Sequence, residues 1–124
     1  MINFGLYFSR VSELLSSTSL QESCENARSL LFRIISQDGV IYVCGNGGSA
    51  ATSDHFVNDL VSISPRIPGA RIRSVSLCSN SSVLTCISND LSYDDVFLRQ
   101  LQFSLRPCDL VVGISASGNS ENLV

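Results

Sequence analysis

Five consecutive residues, Gly45-Asn46-Gly47-Gly48-Ser49, form a segment suited to close contact with a small ligand. We call residues 45–49 the glycine loop. Glycine adopts positive φ and has no side chain, so the backbone can turn sharply and approach a ligand. The loop leads into a predicted helix, whose first N–H groups lack partners and attract hydroxyls or anions. A plain strand-to-helix turn is the alternative, and the small residues around Asn46 make it the weaker interpretation.

A second segment, residues 115–120 (Ser-Ala-Ser-Gly-Asn-Ser), carries three hydroxyl groups, and we call it the serine loop. Hydroxyls and backbone amides can bind a phosphate group without the help of a cation. Taken alone, the segment is equally well explained as a serine-rich cap of a following helix. The two loops together are far more specific than either one, and they predict a site for a phosphosugar.

His55 is the only histidine in the chain, and Asp59 follows four residues later in the helix predicted after the glycine loop. Residues four apart share one helix face, so the imidazole and the carboxylate are expected to lie side by side. Such a pair can hold a metal ion, or act as base and polarising group in proton transfer. A packed or surface histidine without such a function is the alternative.

Asn89 and Asp90 form the last polar cluster, close in sequence to Tyr93, Asp94 and Asp95. An Asn-Asp pair commonly marks a turn or the end of a helix. A contact with sugar hydroxyls is an equally good interpretation, and the sequence leaves both open.

Composition and charge exclude several classes of function. The formal net charge is −3, and no basic block or aromatic-basic pattern points to nucleic acid. All eight basic residues are arginine, which excludes Schiff-base lysine chemistry and a P-loop lysine. Apolar stretches of about five residues are far shorter than the roughly 20 needed to cross a bilayer, so no membrane partner is expected. The five cysteines lack CxxC spacing and are expected to be reduced and mostly buried, as in a cytosolic protein.

Alternating strand-like and helix-like segments indicate an α/β fold. Three apolar runs are predicted as strands: Val40–Cys44, Ile72–Leu77 and Leu110–Ile114. Helical periodicity predicts two N-terminal helices, the second opened by a capping box of Ser19 and Glu22 and stopped at Asp38-Gly39. Further helices are predicted over Ser49–Val61, after the capping residues Ser79–Ser82, and over Tyr93–Leu105.

Strands that alternate with helices pair in parallel, which predicts a doubly wound parallel sheet. In a flavodoxin-like strand order, the first and third strands are neighbours where the winding direction reverses, and ligands bind beyond the carboxyl ends of the strands. The glycine loop and the serine loop follow these two strands. The two loops are therefore expected to converge on one site.

One domain is expected over residues 1–124, with N-terminal helices over about residues 1–37 and the sheet core over about residues 39–124. Glu121–Val124 resembles the first turn of a helix without a cap. A three-stranded sheet without its last helix would expose apolar strand surface, and a single helical turn is not stable by itself. The natural domain is therefore expected to continue, with its C-terminal part missing from this chain.

These motifs resemble the phosphoheptose isomerase branch of the SIS (sugar isomerase) family. The resemblance rests on the glycine loop, His55-Phe56 with an acid at residue 59, Asn89-Asp90, and residues 113–120, and it covers nearly the whole chain. It implies a flavodoxin-like SIS domain, a cytoplasmic homotetramer with sites at subunit interfaces, and zinc as cofactor. The implied reaction converts sedoheptulose 7-phosphate to D-glycero-D-manno-heptose 7-phosphate through an enediol, for heptose nucleotide synthesis.

The resemblance also implies roles for individual residues. Asp59 and His55 match catalytic positions as well as zinc ligands, and Asp59 stands where the family has a glutamate that acts as base. The glycine loop would contact the sugar, and the serine loop would bind chiefly the phosphate. The residues that match substrate-binding positions are Asn46, Gly47, Gly48, Ser49, Asp59, Asn89, Asp90, Ser115, Ala116, Ser117 and Ser120.

Three departures from the family pattern bear on catalysis. Asp59 is one methylene shorter than glutamate, which draws its carboxylate back by about 1.5 Å, and Ala116 replaces a threonine. The family's remaining catalytic histidine and a metal-binding glutamine belong to the C-terminal part, so the chain as given is expected not to catalyse efficiently. Two hypotheses stay open. One is an isomerase whose C-terminal part is lost; the other is a non-catalytic SIS module that binds a phosphosugar or a protein partner, as replication-initiator-associating members do.

Overall fold

A computed structural model describes residues 3–124, and its elements alternate between helix and strand. The helices are α1 (Phe4–Leu15), α2 (Thr18–Ser36), α3 (Gly48–Ile63), α4 (Ser81–Asp90) and α5 (Leu98–Leu101). The strands are β1 (Val40–Gly45), β2 (Arg73–Ser76) and β3 (Leu110–Ile114). Short 3-10 helices at Ser64–Arg66 and Tyr93–Asp95 follow α3 and α4. This order confirms the α/β class.

The three strands form one parallel sheet in the order β2-β1-β3. β1 pairs with both neighbours, with Val43 beside Ser76 and Gly45 beside Ile114. The first and third strands are therefore neighbours, as the flavodoxin-like order requires. Since the strands run in the same direction, the segments that follow β1 and β3 leave from the same edge of the sheet. The predicted parallel sheet is confirmed.

β1 lies at the centre of the core, and every one of its residues is buried. Alternate side chains of a strand face opposite sides of the sheet. One side joins a cluster of buried residues: Val40, Tyr42, Cys44, Leu77, Val96 and Phe97. Ile41 and Val43, which have no exposed surface, face the other side, and α3 packs against β1 and β2. A strand buried on both faces is what an unbroken apolar run predicts.

α2 ends in a tight turn that leads directly into β1. The Gly39 N–H donates to the Ile34 carbonyl at 3.0 Å and the Asp38 N–H to the Ile35 carbonyl at 3.1 Å, which are the hydrogen bonds of a Schellman motif. Asp38 takes the left-handed conformation, with φ of 53°. Gly39 is tightly enclosed, because a Cβ there would lie 2.0 Å from the Cys108 carbonyl oxygen. The helix stop predicted at Asp38-Gly39 is confirmed.

The predicted capping residues are correct for α4 and wrong for α2. Asn80 caps α4, where its side chain accepts a backbone N–H of the first turn at 3.1 Å. The predicted capping box of Ser19 and Glu22 is wrong, because α2 begins one residue before Ser19. The Ser17 hydroxyl accepts from the Leu20 N–H at 3.4 Å instead, so an earlier serine caps the helix.

The continuous helix predicted over Tyr93–Leu105 is wrong. The structure has a 3-10 turn at Tyr93–Asp95 and a short helix, α5, with Val96 and Phe97 between them. Both of these residues are buried in the core cluster, although neighbouring positions of an α-helix point about 100° apart. The segment that joins the 3-10 turn to α5 thus contributes two adjacent side chains to the core.

β2 and the cysteines also differ from expectation. β2 covers Arg73–Ser76 rather than Ile72–Leu77, and it is only partly buried because, within residues 3–124, it has a strand neighbour on one side alone. All five cysteines are free thiols, but only Cys44 is buried, and Cys24 and Cys86 are exposed. The expectation that the cysteines are mostly buried is therefore wrong, because they are spread over the core and the surface.

The chain divides into two compact units, one up to Arg33 and one from Ile34 to Val124. The first contains α1 and most of α2, and the second contains the sheet with its other helices. Met1 and Ile2, where the predicted domain begins, lie outside the described residues. In the part of the chain that is described, no helix has the length and apolar character needed to span a bilayer.

Candidate functional site

The glycine loop is the tight turn between β1 and α3. Gly47, the N-cap of α3, has φ of 55° and ψ of −120°, a conformation that glycine tolerates and other residues rarely adopt. The backbone carbonyl of Asn46 accepts from the Ser49 N–H at 2.9 Å, and the backbone carbonyl of Gly47 accepts from the Ala50 N–H at 3.0 Å. The chain therefore passes from strand to helix through only Asn46 and Gly47.

Gly45 allows the ends of β1 and β3 and the start of α3 to approach closely. A Cβ at this position would lie 2.8 Å from the Ser49 backbone and 2.9 Å from the Ile114 carbonyl oxygen. These contacts are too short for packed atoms, so any larger residue would push the two loops apart. Gly48 differs, because nothing lies within 4 Å of the Cβ that would be added there. The fold of the described chain gives no packing reason for a glycine at residue 48, and the space is open to a ligand.

The serine loop turns back on itself after β3. The Ser115 hydroxyl accepts from the Gly118 N–H at 3.0 Å, and the Ser117 hydroxyl accepts from the Asn119 N–H at 3.3 Å. Gly118 has φ of 70°, in the left-handed region that favours glycine. The Ser115 and Ser117 hydroxyls lie 3.5 Å apart. Only one of the two O–H groups can donate to the other hydroxyl, so at least one O–H group is left to donate to a ligand.

Both loops open onto one cavity of about 230 Å³. Its lining residues come from the glycine loop, the end of β3 and the serine loop: Asn46, Ser49, Ile114, Ser115, Ala116, Ser117 and Ser120. None of these side chains carries a charge, so contacts in the cavity are made by hydroxyls, an amide and backbone groups. The expected convergence of the two loops is confirmed. Gly47 and Gly48 lie in the same turn, between two of the lining residues.

Asn46 is held by two residues that the sequence analysis does not assign to the site. Its side chain forms a reciprocal amide pair with Asn122, with N–O distances of 2.8 and 2.9 Å. The Tyr93 hydroxyl donates to the Asn46 Oδ1 at 2.8 Å. Tyr93 and Asn122 are 47 and 76 positions away along the chain, so no local pattern connects them with Asn46. The only hints in the sequence that these residues belong to the site are their positions: Tyr93 follows the Asn89-Asp90 cluster, and Asn122 comes just after the serine loop.

His55 and Asp59 lie side by side on α3, as their spacing predicts, with 3.6 Å between Nε2 and Oδ2. Their side chains are 75% and 63% exposed, and neither lines the cavity. Among residues 3–124, no group of three or more His, Cys, Asp or Glu side chains is placed to hold a metal ion. Zinc sites in proteins use three or four protein ligands. The described residues supply two donors and do not complete a zinc site.

Asn89 and Asp90 pair with each other at the end of α4. The Asn89 amide donates to one oxygen of Asp90 at 2.8 Å, and the Cys86 thiol donates to the other at 3.4 Å. These hydrogen bonds, first from Asn89 and then from Cys86, hold the pKa of Asp90 below its usual value. The carboxylate is thus ionised at neutral pH and already bonded within α4. Neither residue lines the cavity.

Cys44, next to the glycine loop, is a packing residue. Burial, with a smaller contribution from Cys78, raises the pKa of the Cys44 thiol to about 11. The thiolate, which is the nucleophilic form, is therefore scarce at neutral pH. Its side chain belongs to the core cluster.

Comparison with known proteins gives consistent matches. The model of the SIS domain family matches residues 6–124. A phosphoheptose isomerase from Bordetella avium (strain 197N) is 40% identical over 111 residues, which are 88% of this chain and 55% of the relative. A phosphoheptose isomerase from Helicobacter pylori (strain P12) is 38% identical over 109 residues, which are 88% of this chain and 56% of the relative. The chain thus spans about half the length of the curated relatives it matches.

Two solved structures are similar to this one. The structure of a phosphoheptose isomerase from Neisseria gonorrhoeae matches with a TM-score of 0.69 and 32% identity, over 95% of this chain and 65% of that one. The structure of a phosphoheptose isomerase from Francisella tularensis matches with a TM-score of 0.82, over 96% of this chain and 63% of that one. At 22% identity, the second similarity bears on the fold alone.

Proposed function

The chain belongs to the SIS domain family, and we propose that it forms the phosphosugar-binding part of an aldose–ketose isomerase. The proposed reaction converts sedoheptulose 7-phosphate to D-glycero-D-manno-heptose 7-phosphate. Relatives named phosphoheptose isomerase, at 38% and 40% identity, support an isomerase. In this chain the proposal is carried by one observation, the convergence of the glycine loop and the serine loop on one uncharged cavity.

The serine loop is proposed to bind the phosphate group. It contributes Ser115, Ala116, Ser117 and Ser120 to the cavity. Hydroxyls and backbone N–H groups bind phosphate oxygens without a cation, which suits a lining that has no charged side chain. A volume of about 230 Å³ is smaller than the roughly 300–1,000 Å³ of sites that enclose drug-sized ligands. The cavity therefore suits a phosphate and the carbons next to it.

The glycine loop is proposed to bind the sugar. Asn46 lines the cavity next to the serine loop, and Gly47 and Gly48 are exposed at the start of α3. Because the space around Gly48 is open, a sugar can approach the first N–H groups of α3 without meeting a side chain. Binding the phosphate at one loop and hydroxyls at the other positions the reacting carbons and lends binding energy to the chemistry.

The proposed reaction moves protons between two neighbouring carbons. A base removes a proton from C1 of the ketose while the carbonyl oxygen at C2 receives one, which forms an enediol. The C1 hydroxyl then loses its proton as the aldehyde forms, and C2 receives a proton. Asp59 is proposed as the base, with His55 beside it as proton carrier or polarising group.

An assembly of several copies is part of the proposal. Asp59 lies ten residues beyond Ser49 on α3, which is about 15 Å along the helix axis. A cytoplasmic homotetramer with sites between subunits would let the His55–Asp59 pair of one copy face the cavity of another. Zinc is proposed on the resemblance alone, with His55 and Asp59 as two of its ligands. No step of the reaction is assigned to zinc, since the described residues do not complete its site.

A non-catalytic SIS module, which binds a phosphosugar or a protein partner, is the second candidate. Two observations favour it: the His55–Asp59 pair does not line the cavity, and residue 59 is an aspartate rather than the longer glutamate. Such a module would use the cavity for recognition and would leave a bound sugar phosphate unchanged.

An assay of the full-length gene product separates the two candidates. The purified protein, with added zinc, is given sedoheptulose 7-phosphate; aldose formation is followed by NMR, and binding is measured by calorimetry. The isomerase proposal expects turnover that Asp59→Asn abolishes. Ser82→Ala, at an exposed position in the first turn of α4, is the matched control and is expected to leave turnover unchanged. Binding without turnover supports the second candidate, and the absence of both contradicts phosphosugar binding in either form.

A further inference from the structure

We propose that Tyr93 and Asn122 are positioning residues that hold the Asn46 side chain as a hydrogen-bond donor to the bound sugar. The inference rests on the proposed phosphosugar binding at the cavity that Asn46 lines. Tyr93 and Asn122 then belong to the site, and they restrict the kind of ligand atom that Asn46 can contact.

Three hydrogen bonds define the state of the Asn46 side chain. Its Oδ1 accepts from the Tyr93 hydroxyl at 2.8 Å and from the Asn122 Nδ2 at 2.9 Å. Its Nδ2 donates to the Asn122 Oδ1 at 2.8 Å. All three distances are those of well-formed hydrogen bonds, and both amides are half-buried. The carboxamide is therefore held in one orientation.

A count of donors and acceptors shows what Asn46 has left for a ligand. A carboxamide oxygen has two lone pairs, and a carboxamide nitrogen has two N–H groups. Tyr93 and Asn122 use both lone pairs, and Asn122 uses one N–H. The remaining group is a single N–H donor. A ligand atom that bonds to this side chain must therefore be an acceptor, such as a hydroxyl or carbonyl oxygen of a sugar.

The network joins three separate parts of the chain at the cavity. Asn46 belongs to the glycine loop, Tyr93 to the 3-10 helix after α4, and Asn122 to the turn after the serine loop. An amide already fixed by three bonds loses little further freedom when a ligand binds, which is the advantage of a preorganised site. Because Tyr93 is 53% exposed, removing its hydroxyl tests positioning rather than core packing.

The first test examines the network without any ligand. In the ¹⁵N-labelled full-length protein, the side-chain NH₂ signals of Asn46 and Asn122 are compared between wild type and Tyr93→Phe. The proposal expects the signals of both residues to shift, because the variant removes only the hydroxyl that bonds to Oδ1. Tyr7→Phe, at an exposed tyrosine of α1, is the matched control and is expected to leave them unchanged. Unchanged Asn46 signals in Tyr93→Phe would overturn the proposal.

The second test measures binding by calorimetry with sedoheptulose 7-phosphate and with inorganic phosphate. In Tyr93→Phe and Asn122→Ala, the affinity for sedoheptulose 7-phosphate is expected to fall by about three- to tenfold, the range for one hydrogen bond. The affinity for inorganic phosphate is expected to fall by less than about twofold. Asn46→Asp keeps an acceptor for Tyr93 and removes the donor, so a loss of more than about tenfold is expected. An unchanged unfolding midpoint in Tyr93→Phe shows that the fold is intact.

The outcomes distinguish this inference from the function on which it rests. If the wild type binds the sugar phosphate and both Tyr93→Phe and Asn122→Ala bind it with the same affinity, the inference is overturned and the proposed function stands. An equal loss of affinity for both probes in Tyr93→Phe indicates a general structural role and also overturns the inference. A wild-type protein that binds neither probe overturns the proposed function, and the inference with it.

Discussion

The two edges of the sheet differ in the groups that they present. At the amino edge, where β1 and β3 begin, four charged side chains meet: Asp38, Arg73, Arg106 and Asp109. At the carboxyl edge, where the same strands end, the cavity is lined by uncharged groups. Each edge depends on a glycine for close approach of the backbone, Gly39 at the first and Gly45 at the second.

Asp109 organises the amino edge. Its carboxylate accepts from the Val40 N–H at 2.8 Å, from the Arg106 N–H at 2.8 Å and from the Arg106 guanidinium at 3.0 Å, and its side chain has no exposed surface. Arg73 and Arg106 also donate to the Asp38 carbonyl, at 3.0 and 3.2 Å. The charged groups of this edge therefore bond to one another and to the backbone of the turn.

This contrast separates an edge that holds the fold together from an edge that can receive a ligand. A buried charge is stable only with partners inside the protein, so the amino edge is closed by its own groups. Hydroxyls and amides keep spare donors after making local bonds, so the carboxyl edge stays able to bind. Changes at the amino edge are therefore expected to act on stability, and changes at the carboxyl edge more strongly on binding.

The largest effect is expected from Gly39→Ala at the amino edge. The added Cβ would lie 2.0 Å from the Cys108 carbonyl oxygen, so the backbone must move, and the free energy of unfolding should fall by more than about 4 kcal/mol. Urea unfolding followed by circular dichroism measures the loss. Gly48→Ala, where nothing would contact the added methyl group, is the control. If the free energy of unfolding of Gly39→Ala lies within about 0.5 kcal/mol of the wild-type value, the turn between α2 and β1 can accommodate the methyl group and the prediction is wrong.

A smaller loss is expected from Asp109→Asn. Burial by itself would raise the pKa of Asp109, but hydrogen bonds from Arg106 and the Val40 N–H, together with the charge of Arg106, outweigh it and lower this pKa to about 2, against a usual value of 3.8. The amide that replaces the carboxylate keeps only one acceptor oxygen, loses the ionic bond to Arg106 and turns its NH₂ group toward the Val40 or the Arg106 N–H, which should cost at least about 2 kcal/mol. Urea unfolding at pH 7 provides the comparison with wild type.

The same substitution has a defined pH dependence. Because the folded state lowers the pKa of Asp109, its stabilisation is complete above the unfolded value near 3.8 and is lost as the pH falls toward about 2. Unfolding free energies measured between pH 5 and 2 should therefore decline less steeply in Asp109→Asn than in wild type. Parallel curves for the two proteins would contradict the assigned role of this carboxylate.

Gly45→Ala and Gly48→Ala test the carboxyl edge as a pair. The methyl group at residue 45 would lie 2.8 to 2.9 Å from backbone atoms of α3 and β3, which should cost about 1–2 kcal/mol and separate the two loops. The methyl group at residue 48 meets no protein atom, so stability should change by less than about 0.5 kcal/mol. Calorimetry with sedoheptulose 7-phosphate should nevertheless show weaker binding in both, by more than about threefold. Unaltered binding in Gly48→Ala would place the ligand elsewhere.

The smallest effect is expected from Arg73→Gln. The ion pair between Arg73 and Asp38 spans 3.4 Å, and its side chains are 37% and 60% exposed. Exposed ion pairs contribute little because water and salt screen them, and the hydrogen bond from Arg73 to the Asp38 carbonyl is exposed as well, so the loss should be below about 1 kcal/mol. Urea unfolding of Arg73→Gln at low and high salt measures this. A loss as large as that of Asp109→Asn would mean that the exposed part of the amino edge matters as much as the buried part.

Several features of the fold and site could be predicted because they depend on neighbouring residues. The unbroken apolar run of β1 predicts a strand that is buried on both faces, and the structure confirms it. The glycine loop predicts a sharp turn, and Gly47 takes a backbone conformation that requires glycine. The convergence of the two loops follows from the parallel order of the strands. The functional roles assigned to the loops and to His55 and Asp59 stay predictions.

The predictions that failed depend on contacts between residues far apart in the chain or on a choice between two local arrangements. Tyr93–Leu105 has helical spacing, but the structure has a 3-10 turn and the short helix α5 there, with the buried residues Val96 and Phe97 between them. Ser19 and Glu22 form a valid capping pattern, but Ser17 caps α2 instead. In each case two arrangements are compatible with the sequence, and packing or an earlier start of the helix selects one of them.

The amino-acid sequence by itself determined the turns on either side of β1, the burial of that strand, and which small polar groups stand at the carboxyl ends of β1 and β3. Only the tertiary structure decided that Tyr93 and Asn122 bond to Asn46, and that the His55–Asp59 pair lies outside the cavity. The reason is physical: backbone turns and apolar runs are set by neighbouring residues, whereas a hydrogen bond across 47 or 76 positions leaves no periodic pattern in the sequence.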